Sequence, residues 1–494
     1  MQPTAAADLL WKAVDTLRGA MDAAHYKSTV LTLLYLRCLS LELEQTRRRL
    51  DAEGLGDRDV HYSAEGLRWI PPVARWNILV QRVQDPDDDP VTALDEALDA
   101  TRRSNHDLAD LFPPASTLIA DMERQRIAKL FTLFEDVPGP AVYEELLAEF
   151  ARFEGKRGGE FYTPRNVVRL LVETLQPQRG RVYDPCCGSG GMLVQAARFV
   201  TERGGDPAAD LAYYGQEVNT GSWQLARMNL EMQGLPVDLR CADTLESDLQ
   251  PTLKADIVLA TPPFNVSDWA HREGDSRWRY GIPPRTNANF AWLQHVVHRL
   301  SERGSAGVVL ANGSTSSKQK GEGEIRKAMV EDDLVACIVA LPAQLFWSTS
   351  IPACIWFLTK DKSTQGADGL TDRAGQTLFI DARAMGKMTG RARRELTSRE
   401  LSEIARTYHA WRGTGRRGEE YQDVPGFCRS AGLDEIRQNQ HILTPGRYIG
   451  ATEDDRTQHD GQADRRIDGL IRELLELLDQ SDQLTQDMQR HLGA

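Results

Sequence analysis

The chain has 494 residues, 59 of them Lys or Arg and 72 Asp or Glu, for a net charge of −13. That length supports two or three domains with cores of their own, while the acidic balance excludes a general attraction to a polyanion, so any nucleic acid must meet a local or borrowed basic surface. Seven scattered cysteines without a CxxC pair argue against a disulfide framework and a structural zinc site, and the lack of a signal-like start or a long apolar run leads us to expect a cytoplasmic protein with no membrane segment.

From residue 8 to 42 apolar side chains (Leu10, Val14, Leu17, Met21, Val30, Leu33, Leu34, Leu36) recur at helical spacing, which predicts an amphipathic helical start. An acidic stretch broken by Pro86 and Pro90 reads as a solvated turn, and helical patterns resume from Val91 to about Arg152. Together they predict an all-helical N-terminal domain over residues 1–152. Beyond Gly155, short β-rich runs at 181–184, 211–217, 237–243, 256–261, 306–311, 334–341 and 354–360 alternate with helices. That alternation predicts an α/β domain over 153–450 with a parallel sheet covered on both faces. A polar stretch at 361–376 reads as an insertion before another strand-like run at 378–381. The tail, 451–494, carries an apolar stripe (Ile467, Leu470, Ile471, Leu474, Leu475, Leu477, Leu478, Leu484) on a charged helix; it either folds back on its own domain or packs on a partner.

The segment Asp184-Pro185-Cys186-Cys187-Gly188-Ser189-Gly190-Gly191 follows a predicted strand and turns through glycines into a helix. Glycines let the backbone approach a ligand closely, and an acid at the strand end faces a cation or a hydroxyl rather than a phosphate. S-adenosylmethionine, with its positive amino group, meets that requirement. Two further strand-end acids, Glu217 and Asp243, stand in an order that suits one extended ligand, with ribose hydroxyls at Glu217 and an adenine amine at Asp243. Each alone reads equally well as a helix cap or a surface carboxylate. Upstream, Phe161, Tyr162 and Thr163 precede Pro164 and an amphipathic helix from Arg165, with Thr163 placed to cap it and the two aromatics placed either to cover the cofactor or to staple the helix.

The run 256–264 predicts a buried strand that stops at Pro262 and Pro263. Two prolines make a rigid turn, which can aim the side chain of Thr261 and the carbonyl of Pro262 at an exocyclic amine while the ring of Phe264 stacks on the base that bears it. Acceptors drawing on both amine hydrogens favour the pyramidal nitrogen that attacks a methyl sulfonium, and a base in a duplex must leave the stack to reach such a site. A strand terminator with a core Phe is the bland alternative. The following loop, 265–289, interleaves Trp269, His271, Arg272, Arg277, Trp278, Arg279 and Tyr280, a composition suited to phosphate contact and stacking or to an ordinary loop with buried aromatics. His295 and His298 lack a third ligand nearby and read as structural, and we expect no metal.

These motifs resemble the class I amino-methyltransferases that modify adenine N6 or cytosine N4, and most closely the modification subunits of type I restriction-modification systems. The segments 10–19, Tyr26-Lys27, 34–37, 289–295 and Leu443-Thr444-Pro445-Gly446-Arg447-Tyr448 extend the likeness over nearly the whole chain. The resemblance implies a Rossmann-like, mostly parallel seven-stranded sheet behind a helical N-terminal domain and a C-terminal partner helix. It also implies an adenine-N6 product on double-stranded DNA and a separate specificity subunit clasped by two modification subunits, and it leaves room for a restriction motor subunit. One departure stands out: the family usually has Asn where this chain has Thr261. Threonine keeps an acceptor oxygen but loses the amide's reach, so cytosine N4 methylation, a catalytically weak assembly subunit and methylation of a protein glutamine remain alternatives.

Overall fold

The structure, a computed structural model, describes residues 5–450 apart from 22–24, 55–56, 65–66, 138, 140, 156–162, 320, 347–350, 365–369, 391–392 and 416–418. Phe161, Tyr162 and the tail at 451–494 therefore lie outside the described residues.

The N-terminal part is helical: α1 (Ala5–Leu17), α2 (Tyr26–Ala52), α3 (Asp59–Ala64), α4 (Trp76–Gln84), α5 (Pro90–Ser104), α6 (Ala115–Ile119), α7 (Arg124–Leu133) and α8 (Ala141–Gly155). Helix α2 departs from the expected amphipathic pattern, because every residue from Thr29 to Ser40 is buried. A helix apolar all round belongs inside a bundle, and α1, α3, α4, α6 and α8 pack against this one. The acidic stretch before α5 is more than a solvated turn. Arg82 Nε donates to Asp88 at 2.6 Å, and the Asp89 carboxylate caps α5 by accepting from the Thr92 N–H at 2.9 Å, with Pro90 at the first helical position.

The rest of the chain runs α9 (Arg165–Leu175), β1 (Gly180–Asp184), α10 (Gly191–Thr201), α11 (Pro207–Asp210), β2 (Leu211–Glu217), α12 (Thr220–Glu231), β3 (Val237–Cys241), β4 (Ala255–Ala260), α13 (Asn289–Arg299), β5 (Leu300–Ala311), α14 (Glu322–Glu331), β6 (Val335–Ala340), β7 (Ala353–Thr359), β8 (Gln376–Asp381), β9 (Lys387–Gly390), β10 (Arg393–Glu395), α15 (Ser398–Arg412), β11 (Cys428–Gly432) and α16 (Leu433–Gln438). The sheet order is β11-β8-β6-β7-β5-β4-β1-β2-β3. Its first seven strands form the expected mostly parallel unit, and β8 and β11 widen it to nine. Strand β7 runs antiparallel to both β5 and β6. The connection from β6 to β7 has no helix among its described residues, and without a crossover helix the chain returns in the opposite sense. Strand β11, also antiparallel, was not expected; Cys-Arg-Ser-Ala-Gly offers neither alternation nor β-branched residues.

Parallel pairing aligns the carboxyl ends of β1, β2, β3 and β4 along one edge, where ligands bind in open α/β sheets. The helical part docks beside that edge. Leu225, Met228 and Met232, on or just after α12, belong to the same buried cluster as α2, α7 and α8. Tyr35 donates its hydroxyl to Glu231 Oε2 at 2.5 Å, and Arg68 and Arg227 each lie 3.2 Å from the same carboxylate.

Candidate active site

Two adjoining cavities open at this edge. One, of about 80 Å³, is lined by Thr163, Asp184, Gly188, Ser189, Gly191, Asn229 and Thr261 among others. The other, of about 440 Å³, is lined by Pro185, Gly188, Ser189, Glu217, Val218, Asp243, Leu245, Thr261, Pro263 and Trp292 among others, with Lys27 and Leu147 contributed by the helical part. Thr261, Gly188 and Ser189 face both. Ten of the residues picked out in the sequence thus converge here, while Gly190, Pro262 and Phe264 line neither cavity.

The glycine loop has clear reasons for its composition. Gly188 and Gly190 have φ of +53° and +78°, the left-handed region where a side chain is strained. A Cβ at Gly188 or Gly191 would meet nothing within 4 Å, so the space beyond them is free for a ligand; a Cβ at Gly190 would press on Leu230 at 3.1 Å, so that glycine serves the packing of α10 on α12. Asp184 is buried at the end of β1, and its Oδ1 accepts from the Cys186 N–H at 3.1 Å. Burial pushes its carboxyl up to about 7, against the bond from Cys186, and the charge of Glu217 adds to the rise. Glu217 holds the loop in shape, accepting from the Gly188 N–H at 2.9 Å and the Asn219 N–H at 2.8 Å. Asp243 lies two residues beyond β3 and accepts from the Leu245 N–H at 2.8 Å.

Three features were missed in the sequence. Asn229 on α12 donates to the Ser189 carbonyl at 2.9 Å and leaves its own buried Oδ1 without a partner. Gln216, fully buried beside Glu217, donates to the carbonyls of Ala242 and Ser247 at 3.2 and 2.7 Å and so holds the Asp243 segment. Asn265, directly after the Pro-Pro turn, sits at φ +54° and is gripped by Asn289 at the start of α13: the Asn265 N–H donates to Asn289 Oδ1 at 3.1 Å, and Asn289 Nδ2 donates to Asn265 Oδ1 at 2.9 Å. Single amide side chains, whether on a helix, a strand or a loop, carry no periodic signal, so spacing alone did not find them.

Thr261 is the first residue after β4, buried, and its hydroxyl has no hydrogen-bond partner. A buried orphan hydroxyl costs about 1–3 kcal/mol, which a ligand group can recover. Phe264 is half-buried and packs edge-on against Phe346, ring centroids 5.7 Å apart. Phe346 and its neighbour Leu345 lie in a loop.

A sequence model of the N-6 DNA Methylase family matches residues 135–457, and one of the HsdM N-terminal domain matches 6–134. The chain belongs to the N-6 DNA methylase family. It is 44% identical to the type I restriction enzyme HindI methylase subunit of Haemophilus influenzae, over 71% of this chain and 77% of that one. It is 33% identical to the MjaIX methylase subunit of Methanocaldococcus jannaschii, over 98% and 90%. The crystal structure of a type I restriction-modification methyltransferase subunit from Streptococcus thermophilus superposes with a TM-score of 0.75 at 26% identity, covering 90% of this chain and 99% of that one. The protein is accordingly a type I methylase subunit, a DNA adenine methyltransferase by family, and the family's methyl donor is S-adenosylmethionine.

The residues of this methylase fit that donor. A strand-end acid, an open glycine cradle and an unpartnered acceptor at Asn229 offer places for an ammonium and a close backbone approach. One expectation needs correction. Thr163 does not cap α9: Pro164 occupies the cap position, no side chain bonds the helix start, and Thr163 faces the smaller cavity instead. Of the two readings of loop 265–289, burial favours the ordinary loop with inward aromatics for Trp269 and Trp278. Trp269, Arg277 and Trp278 are buried, Trp269 and Trp278 meet edge to face at 5.6 Å, and their indole N–H groups donate to the carbonyls of Pro284 and Arg272. His271 approaches the Pro283 carbonyl at 3.0 Å, and Tyr280 donates its hydroxyl to Asp332 at 2.5 Å. Arg272 and Arg279 are the exposed cations of that set, and Arg279 lies 3.4 Å from Asp332. Apolar packing took the aromatics that the composition offered to bases. His295 is structural as expected, enclosed by Tyr183, Arg277 and Asp248, and burial together with the Arg277 and Arg299 charges depresses its basicity.

Proposed function

We propose that this chain holds S-adenosylmethionine across the carboxyl ends of β1 to β3 and transfers its methyl group to adenine N6 of a base flipped from double-stranded DNA. The observation that carries the reading is the position of Thr261, whose buried, unpartnered hydroxyl opens on both cavities, beside the glycine loop and the strand-end acids. Asp184 takes the donor's ammonium, with Asn229 Oδ1 as a second acceptor; Glu217 takes the ribose hydroxyls; Asp243 takes the adenine amine. Gly188, Ser189 and Gly191 let the backbone close on the donor, and Pro185 and Gly190 fix the loop. Phe161 and Tyr162 cover the donor, with Thr163 beside them in the smaller cavity. The donor supplies an electrophilic methyl group. Thr261 and the carbonyl of Pro262 accept from the target amine and orient its lone pair, Pro263 keeps the turn rigid, and Phe264 stacks on the base.

The domain division 1–152, 153–450 and 451–494 is part of the same proposal, with the last segment joining a separate specificity subunit and a second copy of this chain in the cytoplasm. An acidic chain whose target loop turns Arg277 and both of its tryptophans inward depends on such a reader for sequence and for much of its hold on DNA. Among the described residues no helix is long and apolar enough to cross a membrane.

The deciding experiment is co-expression with the cognate specificity subunit in a methylation-free host, followed by digestion of the DNA to nucleosides and mass spectrometry. N6-methyladenine is expected. N4-methylcytosine alone would overturn the base assignment. No methylated base despite cofactor binding would make the chain an assembly subunit, and methylated glutamine in host protein would move the substrate class.

A further inference from the structure

Loop 265–289 folds around a small core of its own. Trp269, Trp278, Ala288, Ala291 and Trp292 form one buried cluster, and the remaining buried member, Leu245, comes from the segment that follows Asp243. The polar connection between the two segments is a single side chain. Arg277, 6% exposed, donates from one terminal nitrogen to the Thr244 carbonyl at 2.8 Å and from the other to the Leu245 carbonyl at 2.6 Å. Its Nε lies 3.0 Å from both oxygens of Asp275, which sits two residues away on the same loop, and the second terminal nitrogen reaches Asp275 Oδ2 at 2.6 Å. Burial works against the charge of Asp275, but the Arg277 bonds outweigh it and hold its carboxyl below the ordinary value. The guanidinium also lies 5.0 Å from the centroid of the Trp278 ring.

Thr244 and Leu245 are wall residues of the larger cavity at its Asp243 end, and Val266, Asp268 and Trp269 of the loop line the same cavity. The loop begins at Asn265, directly after the turn that carries Thr261 to Phe264. We infer that Arg277 is a positioning residue that couples the two ligands of this enzyme: a donor seated against the 243–245 segment stiffens that wall, and the guanidinium passes the constraint to the loop beside the target base. The inference rests on the cofactor reading given above and goes beyond it, because it assigns a coupling between donor and base and a residue that carries it. Rigidifying one element so that a second ligand meets an ordered surface is coupling through conformational entropy, and it has an observable in hydrogen exchange. Two carbonyls and a carboxylate converge on one planar fork, which lysine cannot reproduce because its ammonium is a single point donor.

Hydrogen–deuterium exchange on the full chain, with and without saturating S-adenosylhomocysteine, tests the inference on wild type, Arg277→Lys and Asp275→Asn, with calorimetry giving each affinity. In wild type the ligand is expected to slow exchange across residues 270–282 by about tenfold. In Arg277→Lys the affinity stays within about threefold of wild type and protection of residues 188–191 survives, while protection of 270–282 is lost. Asp275→Asn, which keeps the guanidinium but removes its charged anchor on the loop, gives the same loss and decides the matter if the lysine variant does not fold. Protection of 270–282 that persists in the folded variants, or that is absent in wild type, overturns the coupling. A collapse of affinity in both variants would make Arg277 part of the binding site itself and equally overturns it. Failure of wild type to bind S-adenosylhomocysteine would instead strike the cofactor reading, and the coupling with it.

Discussion

A buried carboxyl with no cation beside it resists ionisation, and Asp184 is such a group, raised by burial to about 7. In the free protein its folded value exceeds the unfolded one, so this residue's contribution to stability falls as pH rises from about 4 through 7. The ammonium of the donor favours the ionised form, so binding and deprotonation are linked. S-adenosylhomocysteine affinity is therefore expected to rise with pH between about 5.5 and 7, by at most about tenfold per unit. Calorimetry at several pH values checks this, and Asp184→Asn should flatten the dependence and weaken binding throughout. Thr261 makes a separate prediction. Its hydroxyl is one acceptor on a short side chain, whereas asparagine reaches further and adds a donor. With the space of two cavities around it, Thr261→Asn should raise methyl transfer by about tenfold or more while leaving S-adenosylhomocysteine affinity unchanged. Tritium incorporation into unmethylated DNA measures the first and calorimetry the second.

Strand β4 and helix α13 meet at the reciprocal Asn265–Asn289 amide pair, so the start of α13 fixes the exit of the catalytic turn. Asn289→Ala removes both bonds and leaves the Asn265 N–H without its acceptor. A shift of the turn by even 1 Å is enough to cost about a hundredfold in rate, so turnover should fall by about 10- to 100-fold with donor affinity intact. Single-turnover kinetics beside calorimetry separates the two. At this scale the sequence was legible where a motif is continuous. Strands β1, β2 and β4 each end in a proposed site residue or directly precede one, and their β-rich runs announced them. The exit loop was left with two readings, because Trp269, Arg277 and Trp278 have the same composition whether they face a base or one another. Strand β11 was invisible, since its five residues are extended by pairing with β8 rather than by their own preference.

Across the whole molecule, α12 belongs to both halves: it follows β2 in the catalytic sheet, yet Leu225 and Met228 are buried in the core of the helical part. Met228 is 1% exposed, so Met228→Ala should cost about 2–5 kcal/mol. Glu231 gathers Tyr35, Arg68 and Arg227, so its replacement by Ala should cost about 1.5–3 kcal/mol. Denaturant unfolding measures both, and residues 135–494 expressed alone should aggregate through the uncovered face of α12. The sequence by itself determined the class of fold, the order of strand-end acids and the proline turn after β4, because local periodicity and the needs of glycine and proline act on neighbours in the chain. Only the tertiary structure decided that α2 is central rather than amphipathic, that two more strands extend the sheet, and that Arg277 turns inward to join two segments. Those outcomes depend on which distant surfaces meet, and burial, not local preference, determines where each polar group finds its partner.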